Sequence, residues 1–412
     1  MKLASLFLPR NAYLLLIAGI LFLYGALPAL IGLYIFEDEY FILLSQLTAI
    51  AALGILFGHR KYKLRSRNYF KKIQGVGLFR KSNYDFVILN CFIFIFIFFI
   101  FIISENSIPL IGAFTGDDAS SLSEQRGAFL KQRSGFMNIV SYGFSLYVSS
   151  IMPFCIAILF EMRHKLRYLA LSFMFFVSIA FLVKAMFLNF FLPLIALYVS
   201  RNNISNKRII AVLAAGMFVL LSMISLAGFN EAENEGFDAE SFLTVSYGSS
   251  SPINFLFWRS LVIPVLTARD TLFVHGEQLN SELLLGTTSG FIATITGQEQ
   301  TNIERMVFAH QFGGWNDIGN ANSVFITDAY VNFGTIGVFI FGFIVGRLLL
   351  LFSKYSPPPL SYMSLLFAFF LVGASLISLM LSGGFLILIF WRYLQRLNIK
   401  SPKTLSIQKN TS

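Results

Sequence analysis

Charged side chains and cysteines are both scarce in this chain, and each shortage excludes a class of protein. Only 13% of the 412 residues are charged, 56% are hydrophobic, and the mean hydropathy is +0.71. So few charges cannot cover a soluble surface, and the composition predicts an integral membrane protein. The two cysteines, Cys91 and Cys155, fall within apolar runs, where we interpret them as small apolar residues rather than a disulfide or a metal pair.

Long apolar runs are the main feature that is present. Each run has about 20 residues, enough to cross roughly 30 Å of hydrocarbon as a helix. The runs are continuously apolar and do not alternate, which favours helices over barrel strands. We predict a single all-α membrane domain (residues 1–412) with ten spans, near 11–36, 40–58, 86–103, 136–160, 168–183, 186–200, 209–228, 333–353, 360–378 and 383–392.

The loops between the predicted spans alternate in charge. One set holds 23 of the 31 basic residues and two acids, whereas the other holds 19 of the 21 acids. The positive-inside rule makes the basic set cytoplasmic, including the loop 59–85 and the tail 393–412, so that both termini are inside. The net charge of +10 is therefore expected to face anionic lipid, and no nucleic-acid partner is predicted.

Three segments are predicted to face outward: residues 104–135, a tight turn near Lys184, and the large loop 229–332. The 33 residues between Arg167 and Arg201 contain one charge, Lys184. A single helix of that length would measure about 50 Å, so two short spans with Lys184 between them fit better. A cation at that depth needs an anionic partner or water, and two interpretations stay open: snorkelling to lipid phosphate, or a functional anion site.

Six further basic residues lie in the outward loops, where cations are usually avoided. They are Arg126, Lys131, Arg133, Arg259, Arg269 and Arg305. Guanidinium groups suit phosphate oxygens, so the arginines together with Lys184 are predicted to bind a phosphate-bearing substrate. The alternative for each arginine alone is a salt bridge with the many acids of these loops.

Common catalytic signatures are missing. The sequence contains no G-x-x-x-x-G-K-[ST], no G-x-S-x-G and no H-E-x-x-H. The two outward histidines, His275 and His310, are 35 residues apart among scattered acids, which is weak support for a metal site. We predict no metal and no cofactor. An outer-face enzyme without a nucleotide would need a substrate that arrives already activated.

The stretch "NSVFITDAYVNFGTIGVFIFGFIVG" closely resembles the segment that follows the large periplasmic loop in O-antigen and capsule repeat-unit polymerases of the Wzy type. The shared pattern is an Asn or small residue, then Y-x-x-F-G-x-x-G, then a glycine-spaced span. "FWRSLVIP", from Phe257 to Pro264, resembles the aromatic–Arg–x(4)–Pro segment of the same family. Span number, topology and loop sizes extend the resemblance loosely over the whole chain.

The resemblance implies an enzyme of the bacterial inner membrane, with a fold like that of the large polytopic glycosyltransferases (GT-C-like). Such an enzyme joins oligosaccharide repeats carried on undecaprenyl diphosphate, at the periplasmic face and without metal. Donor and acceptor are both lipid-linked, and a chain-length regulator and a flippase are implied as partners.

The resemblance and the local chemistry together assign roles to residues. Arg259, Lys184 and one or both of Arg126 and Arg133 would hold the donor diphosphate, and Asp328 or His310 would activate the acceptor hydroxyl. For Asp328 the alternative is a structural hydrogen bond. Five more residues complete the predicted substrate-binding set: Arg269, Arg305, Asn322, Asn332 and Tyr330. The ring of Tyr330 could stack on a sugar face or belong to the aromatic belt of the membrane interface.

Three local structures are also expected near this stretch. Asn320 or Asn322 would cap the helix that leads into the span. Asp328 and Asn332, four residues apart, would share one helix face. Gly342 and Gly346 have the G-x-x-x-G spacing of close helix contacts.

Two other functions were weighed. O-antigen ligases show His-Asn before a comparable Gly-x-x-Gly, but here the dipeptide is Ala321-Asn322 and the spacing to Gly334 is longer. That departure disfavours a ligase and also leaves the choice of base open. A flippase or other transporter would show internal symmetry and charges in central spans, whereas this chain gathers its outward charges around one large loop.

Overall fold

The computed structural model describes residues 3–60, 76–103, 108–115, 125, 135–181, 183–202, 204–227, 242–245, 247, 251–313 and 319–400. Within these ranges all regular structure is helical, which confirms the predicted all-α class. Five helices are long and apolar enough to cross a membrane: Pro9–Tyr34, Glu39–His59, Met137–Glu161, Asn206–Ser225 and Phe325–Tyr355. Five shorter apolar helices fall on the other five predicted spans, so a multi-pass α-helical membrane protein is supported.

The helices are numbered in chain order. The first nine are α1 (Leu3–Leu6), α2 (Pro9–Tyr34), α3 (Glu39–His59), α4 (Val76–Ile103), α5 (Pro109–Thr115), α6 (Met137–Glu161), α7 (Arg167–Ala180), α8 (Lys184–Arg201) and α9 (Asn206–Ala227). The large loop contributes α10 (Pro252–Phe257), α11 (Ile263–Phe273), α12 (Gly290–Thr296) and α13 (Ile303–Phe312). The last four are α14 (Phe325–Tyr355), α15 (Pro358–Leu371), α16 (Leu376–Met380) and α17 (Phe385–Lys400).

The centre of the bundle is the parallel pair α3 and α14, packed backbone to backbone. A Cβ atom on Gly342 would lie 2.5 Å from the carbonyl oxygen of Ala51, and one on Gly54 would lie 2.5 Å from that of Phe339. Gly346 and Gly58 approach the partner backbone in the same way. The predicted close contact at Gly342 and Gly346 is therefore confirmed, and its partner is a second G-x-x-x-G on α3.

Residues from the basic loops meet at one end of this bundle. Arg201 forms a salt bridge with Glu161 (2.9 Å), and Tyr362 donates a hydrogen bond to the same carboxylate (2.9 Å). Arg392 donates twice to the carbonyl of Tyr355. The contacts of Glu161 join α6, α8 and α15, and those of Arg392 join α14 and α17. Both lie where the positive-inside rule predicts the cytoplasmic side; the orientation itself stays a prediction.

The turn before Lys184 has the predicted form. α7 ends at Ala180 and α8 begins at Lys184, so two short helices replace one long one. The side chain of Lys184 lies outside the described part of the chain, and its snorkelling and anion-binding interpretations both stay open.

In α14, the predicted helix that leads into the span and the predicted span near 333–353 form one element, Phe325–Tyr355. Gly334 (φ 65°, ψ −164°), which was not predicted as a break, divides this element into two helical parts. The expected cap is wrong: the N-cap is Val324, without a side-chain hydrogen bond, and neither Asn320 nor Asn322 serves. The tetrapeptide from Asn320 to Ser323 is not helical, so the two amides remain at the mouth of α14.

Candidate functional site

A cavity of about 200 Å³ lies between α11, α13 and the chain entering α14. Its polar lining comes from one guanidinium, three amides and two hydroxyls: Arg259, Asn320, Asn322, Gln311, Thr267 and Tyr24. Apolar groups complete the wall, including Ile263, Pro264, Phe308 and Phe312. Two residues predicted for substrate, Arg259 and Asn322, are thus brought together from positions 63 residues apart in sequence.

The position of Arg259 follows from its neighbour Trp258. Trp258 is buried, and its indole N–H donates to the carbonyl oxygen of Thr244 (2.9 Å). The two residues open a π-helical turn, Trp258–Val262, between α10 and α11. With the indole held inward, the next side chain turns toward the cavity. π-Helical turns recur at functional sites because they re-aim side chains in this way.

Arg259 is the cation of this cavity that lacks a counter-charge among the described residues. Its side chain is accessible to solvent, and the protein around it displaces part of its hydration, which lowers the pKa of the guanidinium. An arginine stays protonated at neutral pH even so. Within the part of the chain that the structure describes, no hydrogen bond or ion pair engages its guanidinium. The group is available for an anion.

The neighbouring polar groups divide into two kinds. Gln311 donates to Asp270 (2.7 Å), and Tyr24 donates to the carbonyl of Val372 (2.6 Å), so these groups already have protein partners. Asn320 and Asn322 are exposed, and no hydrogen bond from either side chain to another described residue is present. The free amides therefore lie beside the free guanidinium.

Arg269 lies on α11, a helix that also lines this cavity, but its environment differs from that of Arg259. Its guanidinium contacts Asp38 (2.7 Å from Nε) and Asp270 (2.8 Å from Nη1). Burial lowers the pKa of Arg269, but the hydrogen bonds and charges of the two carboxylates raise it on balance. For Arg269, the salt-bridge alternative to substrate binding therefore applies. The ion pair with Asp38 links α11 to the start of α3.

Asp328 and Asn332 share a helix face, as predicted, and both point into the loop 284–289. Asp328 is only 4% exposed and accepts from Thr288 (3.0 Å) and from Asn332 (3.1 Å). Asn332 accepts from the amide of Gly286 (2.7 Å) and donates to Thr288 (2.8 Å). This network joins the loop to the first part of α14. Neither residue belongs to the lining of the Arg259 cavity.

The remaining predicted residues are distributed around the large loop. His310 is exposed and stacks on Phe273, with ring centroids 4.9 Å apart. Tyr330 is half-buried, its ring edge-on to His275 at 5.9 Å. Arg305 borders a separate open hollow of about 490 Å³ with Glu299 and Gln300.

Three predicted contributors cannot be placed. Arg126 and Arg133 lie outside the described residues, as does the side chain of Lys184. In the described ranges no three His, Cys, Asp or Glu side chains gather as a metal site would require, and metal independence stays a prediction.

Several participants were not anticipated from the sequence. Thr288 and Gly286 complete the Asp328–Asn332 network, and the run "LLLGTTSG", uncharged inside an acidic loop, was the signal available for them. Gln311 and Tyr24 line the cavity, but nothing in their local sequence marks them.

Helical architecture and long apolar segments define the class of this chain as an α-helical, multi-pass membrane protein. Comparison of the chain with protein-family models, with curated proteins and with solved structures finds no match. The function is therefore argued from the residues themselves.

Proposed function

We propose that this chain polymerises undecaprenyl-diphosphate-linked oligosaccharide repeats into O-antigen or capsular polysaccharide, by metal-independent glycosyl transfer at the periplasmic face of the inner membrane. The observation that carries the proposal is Arg259: a cation without a described counter-charge, in a cavity with two free amides, on the segment that resembles the polymerases. A GT-C-like fold belongs to the same proposal.

The size of the cavity suggests what it would hold. Pockets for drug-sized ligands measure about 300–1,000 Å³. At about 200 Å³ this cavity suits a compact charged group such as a diphosphate, and not an oligosaccharide. The sugars of the donor would then extend outside the cavity, over Asn320 and Asn322, which lie exposed in its wall.

In the proposed reaction an acceptor hydroxyl attacks the anomeric carbon of the donor. The new glycosidic bond forms as the sugar–phosphate bond breaks, and undecaprenyl diphosphate leaves with the bonding electrons. Arg259 stabilises the negative charge that builds on the leaving phosphate, which is where a preorganised cation contributes most. Lys184, Arg126 and Arg133 remain candidates for the second phosphate.

The acceptor proton needs a base, and the two candidates differ in access. Asp328 is enclosed by Thr288 and Asn332, whereas the ring of His310 is exposed on the helix that also supplies Gln311 to the cavity. We therefore assign the base role to His310 and a positioning role to Asp328.

The test is elongation of a purified lipid-linked repeat by the purified chain in the presence of a chelator. Arg259→Gln is expected to lower the rate by about 10²-fold or more, because the developing charge loses its cation. The elongation rate of Arg259→Lys is expected to lie between those of the parent and Arg259→Gln, because the ammonium group keeps the charge but lacks the forked geometry of guanidinium. The matched control is Arg208→Gln, at an exposed arginine on α9.

Each variant is first compared with the parent by melting temperature and gel filtration in detergent. An elongation rate for Arg259→Gln equal to that of Arg208→Gln would remove the diphosphate role. A deletion strain separates the other functions: polymerase loss leaves single repeats on the surface, ligase loss leaves unattached lipid-linked polymer, and flippase loss strands repeats in the cytoplasmic leaflet.

A further inference from the structure

One part of the acidic outer loop contains no charge at all. Between Glu282 and Glu299 lie 16 consecutive residues without Asp, Glu, Lys or Arg, "LLLGTTSGFIATITGQ". The segment forms a turn followed by α12. An apolar run of this length is too short to span a membrane as a helix.

Four of the six large apolar side chains of this segment are exposed rather than packed into the protein. Phe291 is 59% exposed and Ile295 is 69% exposed, one turn apart on α12. Leu283 and Leu285 are exposed as well. On α14, Phe333 and Ile336 are exposed in the same way, Ile336 at 75%. These six side chains are called the apolar face below.

The two parts of the apolar face are joined by direct contacts. The amides of Leu284 and Leu285 donate to the carbonyls of Val331 and Asn332, at 3.0 and 3.1 Å. The side chain of Leu283 packs beside Gly334, where α14 bends into its apolar half. The loop therefore continues the exposed surface of a candidate membrane span.

Most backbone amides of the turn are paired within the protein. Five of the six amides from residue 284 to 289 donate within the protein: Leu284, Leu285, Gly286, Thr287 and Ser289. On α12, Thr294 and Thr296 donate their hydroxyls back to the carbonyls of Gly290 (2.7 Å) and Ile292 (3.0 Å). Such internal pairing is what a polypeptide needs where lipid replaces water.

We infer that the segment 283–296 is embedded in lipid at the outer surface of the bilayer. It forms an interfacial anchor whose surface continues that of α14. The absence of charge, the outward apolar side chains and the internally paired backbone are each what an interfacial segment requires. The anchor fixes the loop that also carries the Asp328–Asn332 contacts. The inference concerns membrane contact alone and is independent of the proposed reaction.

The experiment places an environment-sensitive fluorophore on single cysteines in the full-length protein, in vesicles of phosphatidylethanolamine and phosphatidylglycerol. Ile295→Cys is the test position and Glu299→Cys, four residues on and exposed, is the matched control. Both native cysteines are first replaced by alanine, and each variant must match the melting temperature of that parent.

At position 295 we expect strong quenching by lipids carrying a nitroxide on the acyl chain, and iodide quenching at least about fivefold weaker than at position 299. Equal iodide quenching at both positions would overturn the inference. Shielding of position 295 from iodide and from the nitroxide lipid would also overturn it, because protein, such as a second copy of the chain, would then cover the face.

Discussion

The two parts of α14, on either side of Gly334, are held by different interactions. Residues 325–333 are held by hydrogen bonds, through Asp328 and Asn332, to a loop. Residues 335–355 are held by close packing, through Gly342 and Gly346, against α3. Where water has been replaced by lipid, the favourable contact is backbone against backbone, and glycine allows it. At the start of the helix, polar side chains bind the adjoining turn, whose backbone N–H groups need acceptors. These contacts account for the side-chain amide of Asn332 and the carboxylate of Asp328 at this position.

The largest expected effect comes from the packed part. Gly342→Ala combined with Gly346→Ala places two methyl groups against the backbone of α3, which must move. Overpacking costs about 1–3 kcal/mol at each position, so we expect a large loss of folded protein. The measurement is thermal unfolding in detergent. Gly19→Ala is the control, since its Cβ would lie 3.8 Å from the nearest side chain. Equal melting of the two variants would show that close packing is not what holds this part.

The second-largest effect is expected in the hydrogen-bonded part of α14, residues 325–333. Asn332→Ala removes the acceptor of the Gly286 amide and a donor to Asp328, leaving buried polar groups unpaired. We expect a loss of about 2–3 kcal/mol and faster hydrogen exchange of the Gly286 amide. Asn254→Ala, on α10, is the control. Unchanged exchange at Gly286 would contradict the assigned network.

The boundary between the two parts can be tested on its own. Gly334→Ala meets no crowding, because the nearest atom to a new Cβ is 3.7 Å away. The cost is in the backbone, since φ 65° with ψ −164° is accessible essentially only to glycine. We expect destabilisation by about 1–3 kcal/mol, measured by thermal unfolding. Gly373→Ala, with open space around it, should be near neutral. A neutral Gly334→Ala would show that the break is not required.

The smallest loss of stability is expected from removal of the ion pair between Arg269 on α11 and Asp38 at the start of α3. Arg269→Gln leaves Asp38 and Asp270 without their cation. The side chains are only 10–21% exposed, but the amide of glutamine can still donate to one carboxylate, so we expect a loss of about 1 kcal/mol that decreases at high salt. The melting temperature at low and high salt measures it, with Arg208→Gln as the control. A loss independent of salt would indicate a packing role for Arg269 instead.

Much of the fold could be predicted because the relevant signals are local. The apolar runs located ten helices, the lone Lys184 located the turn between α7 and α8, and helical periodicity placed Asp328 and Asn332 on one face. The expected asparagine cap failed because α14 begins at Phe325, which places Val324 at the N-cap position. The break at Gly334 was also missed, since a glycine in an apolar span predicts packing as readily as a bend.

The candidate site was less predictable. Six basic residues were assigned to substrate as a group, yet the described residues place Arg259 beside free amides and Arg269 between two carboxylates. Charge type and loop position are the same for both arginines, so sequence alone gave no basis for separating them. Their difference depends on which acid the folded chain brings near.

Composition and the order of apolar and basic segments were sufficient to establish a helical, multi-pass membrane protein, because hydrophobic length and charge act segment by segment. The tertiary structure decided which glycines face each other, which polar groups close the turn at Gly286, and which arginine is left without a carboxylate. Those choices depend on contacts between distant residues, such as Asp38 and Arg269, 231 positions apart, and no local pattern encodes them.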